Sequence, residues 1–174
     1  NAIFLCYPIM MGIGAFAATE LPAPTLVPAD WSGLRNMLTD RRLVSFLLTL
    51  LLVGASYSIL NNYFILYVRQ LGGSAELFGL SVAVAGVSEL PVFFFSAWFL
   101  RRYGAPTLLI IAFACFALRA FAYAAMPSSA WVIPVQLLHG LTFSAMWAAS
   151  VPYLRQITPP GWGATAQSML GAVL

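Results

Sequence analysis

The chain has 174 residues, of which 61% are apolar and 7% charged, and 8 basic residues against 5 acidic ones leave a net charge of +3. An ordinary water-soluble domain carries about 25% charged residues, so the composition excludes a soluble globular domain and reads as a membrane protein. The small positive balance sits in short clusters between uncharged runs and reports orientation in a bilayer, not nucleic-acid binding.

Residues 1–17, opening on NAIFLCYPIMMG, are expected to form the end of a transmembrane helix. This opening has neither an initiator Met nor a signal-peptide layout, and the final SMLGAVL again stands in an apolar run, so a fragment cut through two helices is expected. Residues 18–42 read as a cytoplasmic loop. The loop begins with three prolines and turns into a short surface helix that Asp30 would cap, with Leu34, Met37 and Leu38 on one side. From residue 43 to 174 the sequence predicts a transmembrane bundle with spans at 43–68, 77–100, 106–126, 131–154 and a truncated 163–174. A membrane-crossing helix needs about 20 mainly apolar residues, whereas barrel strands are about ten long with strict alternation. The class is therefore all-α, a polytopic transmembrane helix bundle with four complete and two partial spans.

Arginines sort the connections: Arg35, Arg41 and Arg42 precede the first full span, Arg101 and Arg102 follow the second, and Arg155 follows the fourth. The remaining connections hold Arg69 or no basic residue, so the arginine-rich set is expected at the cytoplasmic face. Nothing in the sequence explains why all eight basic residues are arginine. Cys6 and Cys115 stand alone in apolar runs and read as packing residues, without disulfide or metal spacing.

Glu89, Arg119 and His139 each occupy a different span. A helical rise of about 1.5 Å per residue puts them about 18, 10 and 12 Å from the outer ends of their runs. Three charges or charge-capable groups at similar depth in a hydrocarbon layer point to a shared water-accessible cavity, because each alone is expensive there. On the fourth span Gln136, His139 and Thr142 recur at spacing three beside Phe143 and Met146; on the first, Gly54, Tyr57, Ser58 and Asn61 make a comparable stripe. Pro91 removes a backbone donor two residues past Glu89. The structural alternatives are that His139 bridges helices, that Glu89 and Arg119 form an ion pair, and that Asn61 and Gln136 bind helices together.

The order SEL (Ser88–Leu90), RRYG (Arg101–Gly104), LR (Leu118–Arg119) and QLLHGLTF (Gln136–Phe143) on successive spans resembles the carboxyl-terminal half of major facilitator superfamily transporters, in the branch that holds lactose permease-like and phenylpropionate permease-like members. The resemblance implies that residues 1–17 end the sixth of twelve spans and that an amino-terminal half belongs with this chain. It further implies that Glu89, Arg119 and His139 handle substrate and protons, with Tyr57, Ser58, Asn61, Gln136, Thr142 and Phe143 lining the cavity. Two departures stand out. Where that branch has a proton-accepting Glu, three residues past the histidine, this sequence has Thr142. Where it has an acid and a lysine that pair across spans, this sequence has the amides Asn61 and Gln136, a hydrogen-bonding pair whose two helices are expected still to face each other.

The expected function is secondary active transport of a small solute by alternating access, with proton-coupled symport through Glu89. Arg119 would compete with the proton for Glu89 or hold an anionic substrate, and His139 would offer one donor and one acceptor. The expected partners are a small-molecule substrate (a sugar, nucleoside or aromatic acid), a proton and the lipid bilayer, with no nucleic acid and no cofactor, in the inner cell membrane. The rival class is a receptor or assembly factor that does not transport. An enzyme is not expected, because HExxH, GxSxG and paired carboxylates are all missing from the sequence.

Overall fold

The computed structural model describes residues 8, 11–17, 19, 35 and 37–173. The chain divides into two compact units, Asn1–Leu34 and Arg35–Leu174. In the first, residues 11–17 are helical with exposed side chains. Apart from residue 8, the rest of the span expected at 1–17, and the proline-rich stretch with Asp30 and Leu34, lie outside the described residues.

The second unit is a helix bundle. Helix α1 (Arg41–Gln70) starts where the Asp40 carboxylate accepts the backbone N–H of Arg42 at 2.7 Å and of Leu43 at 3.4 Å, meeting two of the donors that a helix start leaves free. A tight turn follows, and Ser74 caps α2 (Ala75–Phe94) through the Leu77 N–H. Helix α3 (Ser96–Ala124) begins directly after Phe95 and is interrupted at Gly104, whose φ of 77° and ψ of 158° belong to no helix. Glycine tolerates that positive φ because it has no Cβ, and Pro106 then starts a new helical limb that needs no N–H in its first turn. Among the described residues, four helical segments are long and apolar enough to cross a membrane: Arg41–Gln70, Ala75–Phe94, Ser96–Ala124 and Ser129–Ile157.

The last of these is not one regular helix. A 3₁₀ turn (Ser129–Trp131) leads into α4 (Val132–Gln136), then a π-helical turn (Gly140–Ser144), then α5 (Ala145–Ile157). Helix α6 (Gly163–Val173) closes the described chain.

Packing falls into two apolar clusters. One joins Leu43, Phe46 and Leu50 of α1 to Leu108, Leu109 and Ala112 of α3, Ala145, Ala149 and Leu154 of α5, and Leu170 of α6. Met37, expected on a surface helix, is buried in it. The other joins Phe64 and Val68 of α1 to Tyr123, Met126, Val132 and Val135. Arg119 lies between these clusters along α3, and the stretch from Gln136 to Thr142 lies between them along the fourth segment. A polar layer is thus sandwiched between two oily ones. Outward, large side chains such as Leu52, Phe94 and Phe121 are exposed, and only 17% of the apolar α1 window is buried within the chain. An apolar surface of that extent is stable against lipid or a protein partner, not against water.

Candidate functional site

Helix α2 and the π turn touch backbone to backbone. A Cβ on Gly140 would stand 2.0 Å from the Ser88 carbonyl oxygen, so no other residue fits there without moving a helix. The Gly140 N–H donates to Ser88 Oγ at 3.0 Å, and the Ser88 hydroxyl in turn donates to the Ala85 carbonyl at 2.6 Å. This approach carries Glu89, the next residue on α2, against His139, the residue before the glycine.

The expected trio is brought together as a chain. Glu89 Oε1 lies 2.9 Å from His139 Nε2, and Arg119 Nη1 lies 2.8 Å from His139 Nδ1. A guanidinium has only donors, so Nδ1 must accept; the neutral ring then carries its proton on Nε2 and donates it to the Glu89 carboxylate. Arg119 and Glu89 therefore do not pair directly; the imidazole stands between them.

Arg119 is 5% exposed and is held from several sides. Nη1 also donates to Thr142 Oγ1 at 3.4 Å, while Nη2 donates to the Tyr123 hydroxyl at 3.0 Å and to Gln136 Oε1 at 2.7 Å. Its Nε has no partner. Both terminal nitrogens are thus engaged by the protein, which argues against the expectation that they clamp an anionic substrate. Thr142, at the place of the branch's acid, donates to the His139 carbonyl at 2.8 Å and joins the same network. The expected open cavity is here a packed, hydrogen-bonded core with one partly exposed end: His139 is buried, and the Glu89 side chain retains 24% exposure.

Tyr57 and Phe143 flank the imidazole. The His139 and Phe143 rings stack at 5.6 Å with 10° between planes, Tyr57 stacks on Phe143 at 5.5 Å, and Tyr57 lies 6.0 Å from His139. Such offset aromatic contacts hold the imidazole plane while its edge nitrogens remain free to bond. Asn61 is not brought to Gln136. It is exposed on α1, and the Gln136 oxygen is taken by Arg119. Ser58 is also exposed, accepting from Asn62 on its own helix at 3.3 Å.

Sequence reasoning missed Tyr123, Ser88 and Gly140. Tyr123 stands four residues after Arg119, the spacing that stacks side chains on one helix face, and this signal was present. Gly140 next to the sole histidine was a second signal, because glycine in a span marks close backbone approach.

Apolar helices long enough to cross a membrane, packed around one buried ionisable chain, define a polytopic integral membrane protein. A family model described as MFS_1 like family matches residues 9–174, and the chain belongs to that family. Among curated relatives, the maltose permease of Geobacillus stearothermophilus is 28% identical over 174 residues, covering 98% of this chain and 44% of the permease. The uncharacterized transporter YwbF of Bacillus subtilis is 23% identical over 99% of this chain and 44% of that protein. A major facilitator superfamily domain-containing protein 6-like of Mus musculus is 29% identical over 84% of this chain and 26% of its own length. The chain thus spans less than half the length of these relatives, and no solved structure matches it.

Proposed function

We propose that this chain is the carboxyl-terminal half of a secondary active transporter, working with an amino-terminal half by alternating access in the inner cell membrane and moving a small solute together with a proton. The observation that carries the reading is the Glu89–His139–Arg119 chain. The only carboxylate in these membrane-crossing segments beyond Glu76, at the mouth of α2, is hydrogen-bonded to a histidine whose far nitrogen is held by a buried guanidinium.

Glu89 is the proton carrier. As a carboxylate it accepts the His139 Nε2–H; on taking a proton it becomes a donor and no longer needs that bond, so the loading state of Glu89 is coupled to how α2 and the π turn hold together. Solute binding at the exposed end of Glu89 would favour one of those states. The chain resembles a maltose permease among others, so a sugar is the first substrate class to test, ahead of nucleosides and aromatic acids.

The test uses the full-length protein in proteoliposomes with labelled solutes from these classes under an inward proton gradient. Wild type should concentrate one of them, and Glu89→Gln should abolish uphill uptake while solute exchange across the membrane persists. Loss of both activities together would reject Glu89 as the coupling group, and neither uptake nor binding of any solute would favour a receptor or assembly factor.

A further inference from the structure

We propose that Gln136 is a positioning residue that sets the tautomer of His139, acting through Arg119; this rests on the reading of Glu89, His139 and Arg119 as the coupling site. The bond from Arg119 Nη2 to Gln136 Oε1, at 2.7 Å, is the shortest of the four that hold the guanidinium. The other acceptor on Nη2, the Tyr123 hydroxyl, belongs to the same helix as Arg119 and moves with it. Gln136 is therefore the only acceptor on Nη2 that comes from the fourth segment, which also carries His139. Because the guanidinium is planar and rigid, an anchor on one terminal nitrogen fixes where the other points. Gln136 thus aims Nη1 at His139 Nδ1.

The consequence reaches Glu89. With Nη1 on Nδ1, the ring must carry its proton on Nε2 and donate it to Glu89. With Nη1 released, the ring is free to take the opposite tautomer, whose Nε2 accepts and so can meet only a protonated Glu89. A residue that touches neither the imidazole nor the carboxylate would in this way decide which protonation state of the acid the histidine serves. A lysine at this position, as in the resembling branch, could not act so, since an ammonium cannot accept from Arg119.

The experiment is solid-state NMR of the full-length protein, labelled with ¹⁵N-histidine and held in bilayers, with His139→Asn identifying the His139 signals by subtraction. Wild type should show an unprotonated Nδ1 and a protonated Nε2. Gln136→Leu and Gln136→Val, which remove the acceptor, should both lower coupled uptake about tenfold or more and, combined with Glu89→Gln, whose amide can meet either tautomer, should both bring in the opposite tautomer that Glu89→Gln alone does not show. Gln136→Glu, which keeps an oxygen facing Nη2, should retain the wild-type ring pattern. A wild-type pattern in either acceptor-free variant combined with Glu89→Gln overturns the proposal. Should Glu89→Gln leave uphill uptake intact, the coupling reading fails instead, and the tautomer result still decides the role of Gln136 on its own.

Discussion

Arg119 is the residue on which the site turns. Burying a guanidinium costs several kcal/mol in lost hydration, and here the cost is met by neutral acceptors with the nearest carboxylate one imidazole away. A lysine keeps the charge but presents a compact ammonium that cannot span acceptors on two spread nitrogens. Arg119→Lys should therefore lose two or more charge-assisted hydrogen bonds, about 2–4 kcal/mol, and lower the melting temperature in detergent along with uptake; an unchanged melting curve would show that the network does not hold the fold. At this scale the sequence was partly readable. Glu89, Arg119 and His139 stand out because a lone ionisable group in an apolar run is too costly to be incidental, and their similar depth follows from helical rise. Direction around the helix was not readable. The sequence pairs Gln136 with Asn61, but Gln136 turns to Arg119, since depth carries no azimuth and the irregular fourth segment departs from 3.6 residues per turn.

The π turn and Gly140 are the elements that make the site. A π turn accommodates one extra residue, and such turns recur where a helix must present side chains that a regular helix would face elsewhere. Here it begins immediately after His139 and ends at Ser144. Gly140→Ala would place a methyl group 2.0 Å from a backbone oxygen, which no rotamer change relieves. The two helices must part, and an overpacking loss of about 1–3 kcal/mol or more is expected together with loss of coupled uptake, even though no charged group is altered. Normal melting and uptake in Gly140→Ala would mean the contact is not maintained in the membrane. Asp40→Ala makes a milder case at the far end of α1, where losing the cap should cost about 1 kcal/mol and leave uptake unchanged, read as a small drop in melting temperature. Hydropathy made the membrane-crossing helices legible, because length and apolar content are what a bilayer selects. The break at Gly104 falls in the connection expected between residues 100 and 106, but the helix end at Phe95, inside the span expected at 77–100, and the π turn were not legible, since each depends on tertiary contact instead of composition.

At the scale of the helix bundle, a polar layer lies between two apolar clusters, and many large apolar side chains of the membrane-crossing segments face outward. This arrangement suits a protein whose middle must stay hydrogen-bonded while its ends pack. From the arginine clusters we propose that the face after α5 is cytoplasmic and the turn before the fourth segment lies outside. In a background without Cys6 and Cys115, Ser128→Cys should react with an impermeant maleimide added to intact cells, and Thr158→Cys only after permeabilisation. The reverse pattern would invert the assigned topology.

The most direct measurement is of the proton itself. In lightly buffered proteoliposomes containing the full-length protein, adding a transported solute outside should raise the external pH as protons enter with it, and Glu89→Gln should remove that rise while solute still equilibrates. Proton entry in Glu89→Gln equal to that of wild type would contradict the assignment of Glu89 as the group that carries it.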